Sequence, residues 1–200
     1  MPQHSALINV MVGAARKAAR ALKRDFGEVE NLQVSMKGPA NFVTAADLFR
    51  AAAIGGNPEA QYALAAMFKE GRGVPKDMRA AMRLLSDATA AGNIDAMVEY
   101  AIAQFNGTDV EKNEAAAAKL FLTAARRGSA IAQDRLARIL MAGRGIPADA
   151  TEAIKWHIIA KAGGASDPEL DAFAGKQTQQ VRDAAEAAAK KWLSTAAPRP

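Results

Sequence analysis

Few side chains in this sequence could support acid–base or metal chemistry. The 200 residues include two histidines, His4 and His157, and no cysteine, which excludes disulfides and thiolate-ligated metals and leaves the redox compartment open. Neither histidine has the spacing to other polar residues that is typical of a catalytic group or a metal site. We therefore expect no catalytic residue, no metal site and no cofactor, and we classify the chain as a non-enzyme.

Two glycine-rich segments are candidates for phosphate-binding loops. Gly71-Arg72-Gly73 and Gly143-Arg144-Gly145 lack the Gly-Lys-Ser/Thr ending and the preceding strand that such loops need. We interpret both as turns between helices. Trp156 and Trp192 are expected to pack in the core or in a terminal cap and not to stack on a ligand.

A 36-residue period organises the middle of the chain, in units that begin at Asn57, Asn93 and Ser129. Self-similarity at this period indicates a repeat array. Small residues recur in register without gaps, in these columns: Ala60, Ala96 and Ala132; Ala65, Ala101 and Ala137; Ala81, Ala117 and Ala153; Ala88, Ala124 and Ala160; Gly71, Gly107 and Gly143.

Each unit has the start and stop signals of two helices. The first residue of a unit is a good N-cap, and the glycine of the Gly71 column can close the first helix in the left-handed conformation. A second capping column, Asp77, Asn113 and Asp149, precedes a second helix that ends near Gly92, Gly128 or Gly164. A single helix–loop–helix hairpin cannot bury its apolar stripe, so the pattern predicts an all-α solenoid of stacked hairpins.

These columns resemble the Sel-1-like repeat, a subclass of the tetratricopeptide-type helical repeats. The first unit carries the pattern at Ala60, Leu64, Ala65, Phe68, Gly71, Gly73, Val74, Asp77, Ala81 and Gly92. The middle unit departs most, with Gln104, Asp109 and Asn113 in the Tyr, second Gly and Asp columns. The resemblance implies a right-handed α-solenoid that acts as an adaptor or scaffold.

Charge and hydropathy exclude two classes of partner. The net charge is +5, but residues 1–44 hold six Lys/Arg against three Asp/Glu, so the repeats are nearly neutral and offer no clustered basic face. We therefore expect no nucleic-acid binding. No apolar run approaches about 18 residues, so we expect no membrane span.

The front of the chain differs from the repeats. Ser5–Phe26 has apolar residues at helical spacing and basic residues in its second half, which predicts a surface helix; attachment to an anionic membrane is the alternative. Its charge order does not fit a secretion signal, so we expect a cytoplasmic protein. From Glu28 to Thr44 we expect an extended segment with a turn at Lys37-Gly38-Pro39.

This front segment resembles the start of bacterial inositol monophosphatases. The resemblance lies in residues 5–11 and in the run from Lys37 to Asp47 with its Val43-Thr44-x-x-Asp47 motif. In that family this region approaches a magnesium site, but the later carboxylate motifs do not occur here. Asp167-Pro168-Glu169-Leu170-Asp171 has the wrong spacing and no Gly-Thr after it. The resemblance therefore implies a fragment without phosphatase activity.

Residues 45–56 stand in register with the second helices of the repeats, so we expect half a repeat there. The predicted domains are 1–44, the phosphatase-like fragment; 45–164, the half repeat followed by repeats 57–92, 93–128 and 129–164; and 165–200, capping helices and a tail. We expect a cap helix from Gln179 to Leu193 with its apolar side at Val181, Ala184, Ala185, Ala188, Trp192 and Leu193. One hypothesis is that two coding sequences were joined near Ala45, which sequencing of the native gene and transcript would test.

The predicted function is a non-catalytic scaffold that holds an unidentified protein or peptide in a concave groove lined by the first helices. The alternative is a remnant of an inositol monophosphatase, and we expect a monomer or weak self-association. Residues of the first helices outside the fixed columns are the candidates for partner contact: Gln61, Lys69, Met97, Glu99, Gln104, Gln133, Arg135 and Arg138.

Overall fold

The structure is a computed structural model that describes residues 39–195, and every regular element in that range is an α-helix. The helices are α1 (Pro39–Ile54), α2 (Pro58–Glu70), α3 (Met78–Ala90), α4 (Ile94–Asn106), α5 (Glu114–Arg126), α6 (Ala130–Ala142), α7 (Ala150–Ala162), α8 (Pro168–Gly175) and α9 (Gln179–Thr195). Helices α2, α4 and α6 are the first helices of the three repeats, and α3, α5 and α7 are the second. The predicted all-α repeat fold is confirmed.

Contacts between backbones divide the chain into two compact units. The boundary falls between Tyr100 and Ala101, inside α4. In the first unit, α2 packs against α1 and α3. In the second unit, α6 packs against α5 and α7, and α9 packs against α7.

Helices begin where the sequence places capping residues. Six side chains accept a hydrogen bond from the backbone N–H three residues later, at 2.8–3.3 Å: Asn57, Asp77, Asn93, Asn113, Ser129 and Asp149. Each bond satisfies one of the N–H groups that have no partner inside the helix.

The loop between the two helices of a repeat keeps one conformation in all three units. The Gly71 column has φ between 66° and 73°. The backbone N–H of Asp77, Asn113 and Asp149 donates back across the loop to the carbonyl nine residues earlier. Asp109, which replaces glycine in the middle unit, still has a φ of 60°. The predicted inter-helix turns are therefore present even where the residue type departs from the pattern.

The alanine columns form the contacts between helices. All twelve alanines of the four columns have 0 % of their surface exposed. Since alanine is the smallest side chain with a Cβ, these positions let the backbones of neighbouring helices approach closely. In the first unit the larger core side chains, such as Phe49, Leu64 and Met67, fill the space around them.

Helix α1 begins earlier than the sequence analysis expected. It starts at Pro39, six residues before the predicted domain boundary, so residues 39–44 are helical and not extended. Proline suits the first position of a helix because it has no N–H to leave unpaired there. The predicted helix Ser5–Phe26 and the stretch that follows it to residue 38 lie outside the described residues.

The chain after the last repeat forms the two predicted helices, α8 and α9. Trp192 of α9 meets Trp156 of α7 edge to face, with ring centroids 5.8 Å apart. The predicted apolar side of α9 needs a correction. Ala185 and Ala189 are buried, whereas Ala184 is exposed and Leu193 is 40 % exposed. At 100° per residue, Leu193 is turned well away from Trp192 and off the packed face.

Candidate functional site

A groove of about 390 Å³ opens in the second unit. We call it the arginine groove. Its lining residues are Ile102, Phe105, Asn106, Phe121, Arg135, Arg138, Ile139, Met141, Ala142, Arg144 and Glu169. Most of them lie on α4 and α6, the first helices of two successive repeats. The groove thus has an apolar floor with three guanidinium groups at its margin.

Arg138 is held in place by acidic side chains from the start of α8. Its Nε lies 2.6 Å from Asp167 Oδ2, and its Nη1 donates to Glu169 at 3.0 Å. Asp167 is 1 % exposed, and its other oxygen accepts the N–H groups of Glu169 and Leu170. Burial raises the pKa of nearby Asp134, and the charge of Asp167 raises it further. Arg138 therefore compensates a buried carboxylate.

Arg144, also in the lining of the groove, is held by an aromatic ring and a carboxylate. Its guanidinium carbon lies 4.3 Å from the centre of the Phe105 ring, a cation–π contact. It also hydrogen-bonds Glu114 at the start of α5. The bond from Arg144, reinforced by one from Lys112, lowers the pKa of Glu114 to about 2.

Arg135 differs from the other two arginines. It is exposed on α6, and no carboxylate among residues 39–195 lies within ion-pair distance of its guanidinium. Its charge partly offsets the rise in the pKa of the neighbouring Asp134, but it forms no ion pair within residues 39–195 that a ligand would have to break.

Two of the sequence-predicted contact residues, Arg135 and Arg138, lie in this groove. Two others, Lys69 and Glu99, lie in the first unit and bind each other at 2.6 Å. Tyr62 donates to the second oxygen of Glu99 at 2.9 Å, and burial together with Glu99 raises the pKa of that phenol. These three side chains link α2 to α4, and their polar groups already have partners within the chain.

The other four predicted residues are less accessible. Gln104 is half-buried, and its Oε1 has no partner among the described residues. Gln61, Met97 and Gln133 share one repeat column and are buried, so they cannot contact a partner in this structure.

The two glutamines of this column bond to the preceding repeat. The Nε2 of Gln133 donates to the carbonyl of Ala125 at 3.1 Å, and that of Gln61 donates to Ala53 at 3.4 Å. The column therefore faces the end of the helix before it. These three predicted contact residues are therefore buried, where an accessible binding surface would need them exposed.

The sequence analysis missed most of the apolar floor. Phe105 and Met141 share the repeat column of Lys69, and Ile102 shares that of Arg138. Lys69 and Arg138 were selected because they lie on first helices outside the fixed columns. Following their columns through all three units would have identified the floor as well, because equivalent positions face the same side of the array.

The described residues offer no site for metal chemistry. No group of three or more His, Asp or Glu side chains in the range 39–195 could hold a metal ion. His157 is buried, and its Nε2 lies 2.8 Å from Asp171, which also binds Lys161. Lys161 and then His157 lower the pKa of Asp171. A magnesium centre of the inositol monophosphatase type does not fit these residues. No helix in the same range is long and apolar enough to cross a membrane.

The front of the chain is similar to inositol-1-monophosphatases over a short length. It is 70 % identical to the enzyme of Mesorhizobium japonicum over 43 residues, which are 22 % of this chain and 16 % of that protein. The enzyme of Rhizobium meliloti is 67 % identical over 43 residues, with the same coverage. The chain thus spans 16 % of the length of the curated relatives it matches.

The chain is also similar to solved repeat proteins. A Sel1 repeat protein from Oxalobacter formigenes is 32 % identical with a TM-score of 0.60, over 62 % of this chain and 36 % of that one. The protein c5321, described as a protective antigen of uropathogenic Escherichia coli with an SLR fold, is 19 % identical with a TM-score of 0.47, over 94 % of this chain and 46 % of its own.

The profile of the Sel1 repeat family matches the chain three times in succession. The matched residues are 58–93, 94–129 and 130–164, which together exceed half of the sequence. Each match runs from the start of a first helix to the end of a second, so the profile and the observed hairpins describe the same unit. The chain therefore belongs to the Sel1 repeat family.

Proposed function

We propose that this chain is a non-catalytic adaptor that binds a protein segment in the arginine groove. The observation that carries the proposal is the groove itself, an apolar floor between the first helices of successive repeats with charged side chains at its margin. Helical repeat arrays use such faces to bind protein segments. Its volume of about 390 Å³ lies in the range of about 300–1,000 Å³ that is usual for specific ligand sites.

Site-specific photocrosslinking in the source cells tests this proposal. A photoreactive phenylalanine derivative would replace Met141, which lines the groove, or Lys119, which is exposed on α5 and does not line it. We expect a discrete crosslinked protein from position 141 and none from position 119, since only the first position faces the groove. Identical products at both positions, or none at 141, would contradict the proposal.

A second candidate is a magnesium-dependent phosphatase remnant, favoured by the 70 % identity of the front segment to an inositol-1-monophosphatase. The later carboxylate motifs of that family do not occur in the sequence. A metal-assisted hydrolysis needs several converging carboxylates to hold the ion and activate water. Magnesium-dependent phosphate release from an inositol phosphate is the measurement that would favour this candidate.

A further inference from the structure

We propose that the arginine groove selects an acidic peptide segment that places a carboxylate beside an apolar side chain, with Arg135 as the residue that recognises the carboxylate. This inference rests on the proposed adaptor function and specifies the chemistry of the partner. It is carried by the charge of the lining residues and by the different states of the three arginines.

The charge of the groove favours an acidic occupant. Its lining contains three arginines and one glutamate, and two of the arginines are paired with carboxylates, so its uncompensated positive charge lies at Arg135. The rest of its lining is mostly apolar, so a bound segment that covers Arg135 would lower the local dielectric constant and strengthen the ion pair. A basic segment would meet like charges at the margin, an arrangement that disfavours binding.

The three arginines of the groove differ in their ion pairs. Arg138 is engaged by Asp167 and Glu169, and Arg144 by Glu114, so both charges are largely compensated. Arg135 alone among the three has no carboxylate partner in the described residues. Its planar guanidinium can bind a carboxylate through two parallel hydrogen bonds without breaking an existing ion pair.

The apolar floor provides the contact for the apolar side chain of the partner. Phe105, Phe121 and Met141 lie within the same groove as Arg135. Arg144 covers one face of the Phe105 ring and fixes its orientation. An aliphatic or aromatic side chain of the partner would bury its surface on this floor, while the neighbouring acidic side chain reaches Arg135.

A second copy of this chain is a less suitable occupant. Its net charge is +5, so association of two copies opposes like charges. An acidic segment of another protein has the complementary charge, and we therefore assign the groove to such a segment.

Selection from a random peptide library displayed on phage, with the purified full-length chain as bait, tests this inference. Enriched peptides would be synthesised and their affinities measured by fluorescence anisotropy against the wild type, Arg135→Glu and Lys119→Glu. The two variants change the net charge equally, but only Arg135 lines the groove. Neither residue has an ion pair to lose within residues 39–195, so circular dichroism should show that both variants fold.

We expect enriched peptides to combine Asp or Glu with a nearby aliphatic or aromatic residue. We also expect Arg135→Glu to weaken binding about tenfold or more, since repulsion replaces attraction at the recognition site. Lys119→Glu should stay within about twofold, and the affinity of the wild type should fall as salt is raised.

Four outcomes would overturn the inference. Peptides that bind without an acidic preference, or equal effects of the two variants, would leave an adaptor with a different specificity. Failure to enrich any peptide, with no crosslink at position 141, would remove the adaptor function as well. Sedimentation that shows dimers of the wild type and monomers of Arg135→Glu would assign the groove to a second copy.

Discussion

Gly145 shows how a single residue sets the distance between two repeats. Its φ is +76°, and a Cβ built on it would overlap the carbonyl group of Glu114 and the N–H of Ala115 at the start of α5. The loop after α6 therefore rests directly on the beginning of an earlier helix. Asp109 occupies the same column of the middle unit with a φ of 60°, so the left-handed conformation alone does not require glycine.

Gly145→Ala should destabilise the protein more than a glycine substitution where space is free. The left-handed backbone costs an alanine about 1–2 kcal/mol, and the overlap with Glu114 adds about 1–3 kcal/mol of overpacking. Chemical denaturation, monitored by circular dichroism, measures the total loss in the free energy of unfolding.

Gly164→Ala is the matched control for this substitution. Gly164 also has a positive φ, +91°, but no atom lies within 4 Å of the Cβ position. We expect this substitution to lower the free energy of unfolding by only about 1–2 kcal/mol, the contribution of the left-handed backbone. Equal losses for the two variants would show that the contact with Glu114 is not tight in solution.

At the scale of the helices, local signals predicted most boundaries. The capping residues and the glycine columns determine helix ends through bonds within a few residues, and they were identified correctly. The start of α1 was missed because the repeat register gives no information before residue 45, and Pro39 was assigned to a turn. The orientation of Gln61 and Gln133 was missed because a polar side chain gives no sign in the sequence that it bonds to a buried carbonyl.

The attachment of α9 gives a prediction for a whole element. Trp192 is partly buried and packs against Trp156, which is 2 % exposed. We expect Trp192→Ala to reduce the free energy of unfolding by about 2–3 kcal/mol, somewhat less than for a fully buried tryptophan. Thermal and chemical unfolding would measure this loss.

Leu193→Ala is the control, since Leu193 is 40 % exposed and lies off the packed face. Its effect should be below about 0.5 kcal/mol, as is usual for surface positions. A larger effect at Leu193 than at Trp192 would indicate that α9 packs in a different rotation about its axis.

At the scale of the molecule, acid should weaken the link between successive repeats in the second unit. The pKa of Glu114 is lowered from 4.5 to about 2, first by Arg144 and then by Lys112. The carboxyl group of Glu114 binds a proton less tightly in the folded state than in the unfolded state. The stabilisation that its ion pairs give the folded state is therefore present above pH 4.5 and is lost as the pH falls towards about 2.

We therefore expect the wild type to lose stability between about pH 4.5 and 2 more steeply than Glu114→Gln, which has no proton to bind at this position. Urea denaturation across this pH range gives the slopes. Glu111→Gln removes a nearby exposed carboxylate without an ion partner in the described residues, and its slope should match the wild type. Parallel slopes for the wild type and Glu114→Gln would contradict the assignment.

The glutamines that reach back to the preceding repeat have a consequence for how such arrays grow. Gln133 and Gln61 donate to main-chain oxygens, those of Ala125 and Ala53. Every residue type presents the same carbonyl, so this contact demands no particular side chain from the neighbour. A duplicated unit can therefore be inserted, deleted or exchanged without a compensating mutation at this junction. The contact remains available wherever the inserted unit carries the glutamine, as the units of Gln61 and Gln133 do and that of Met97 does not.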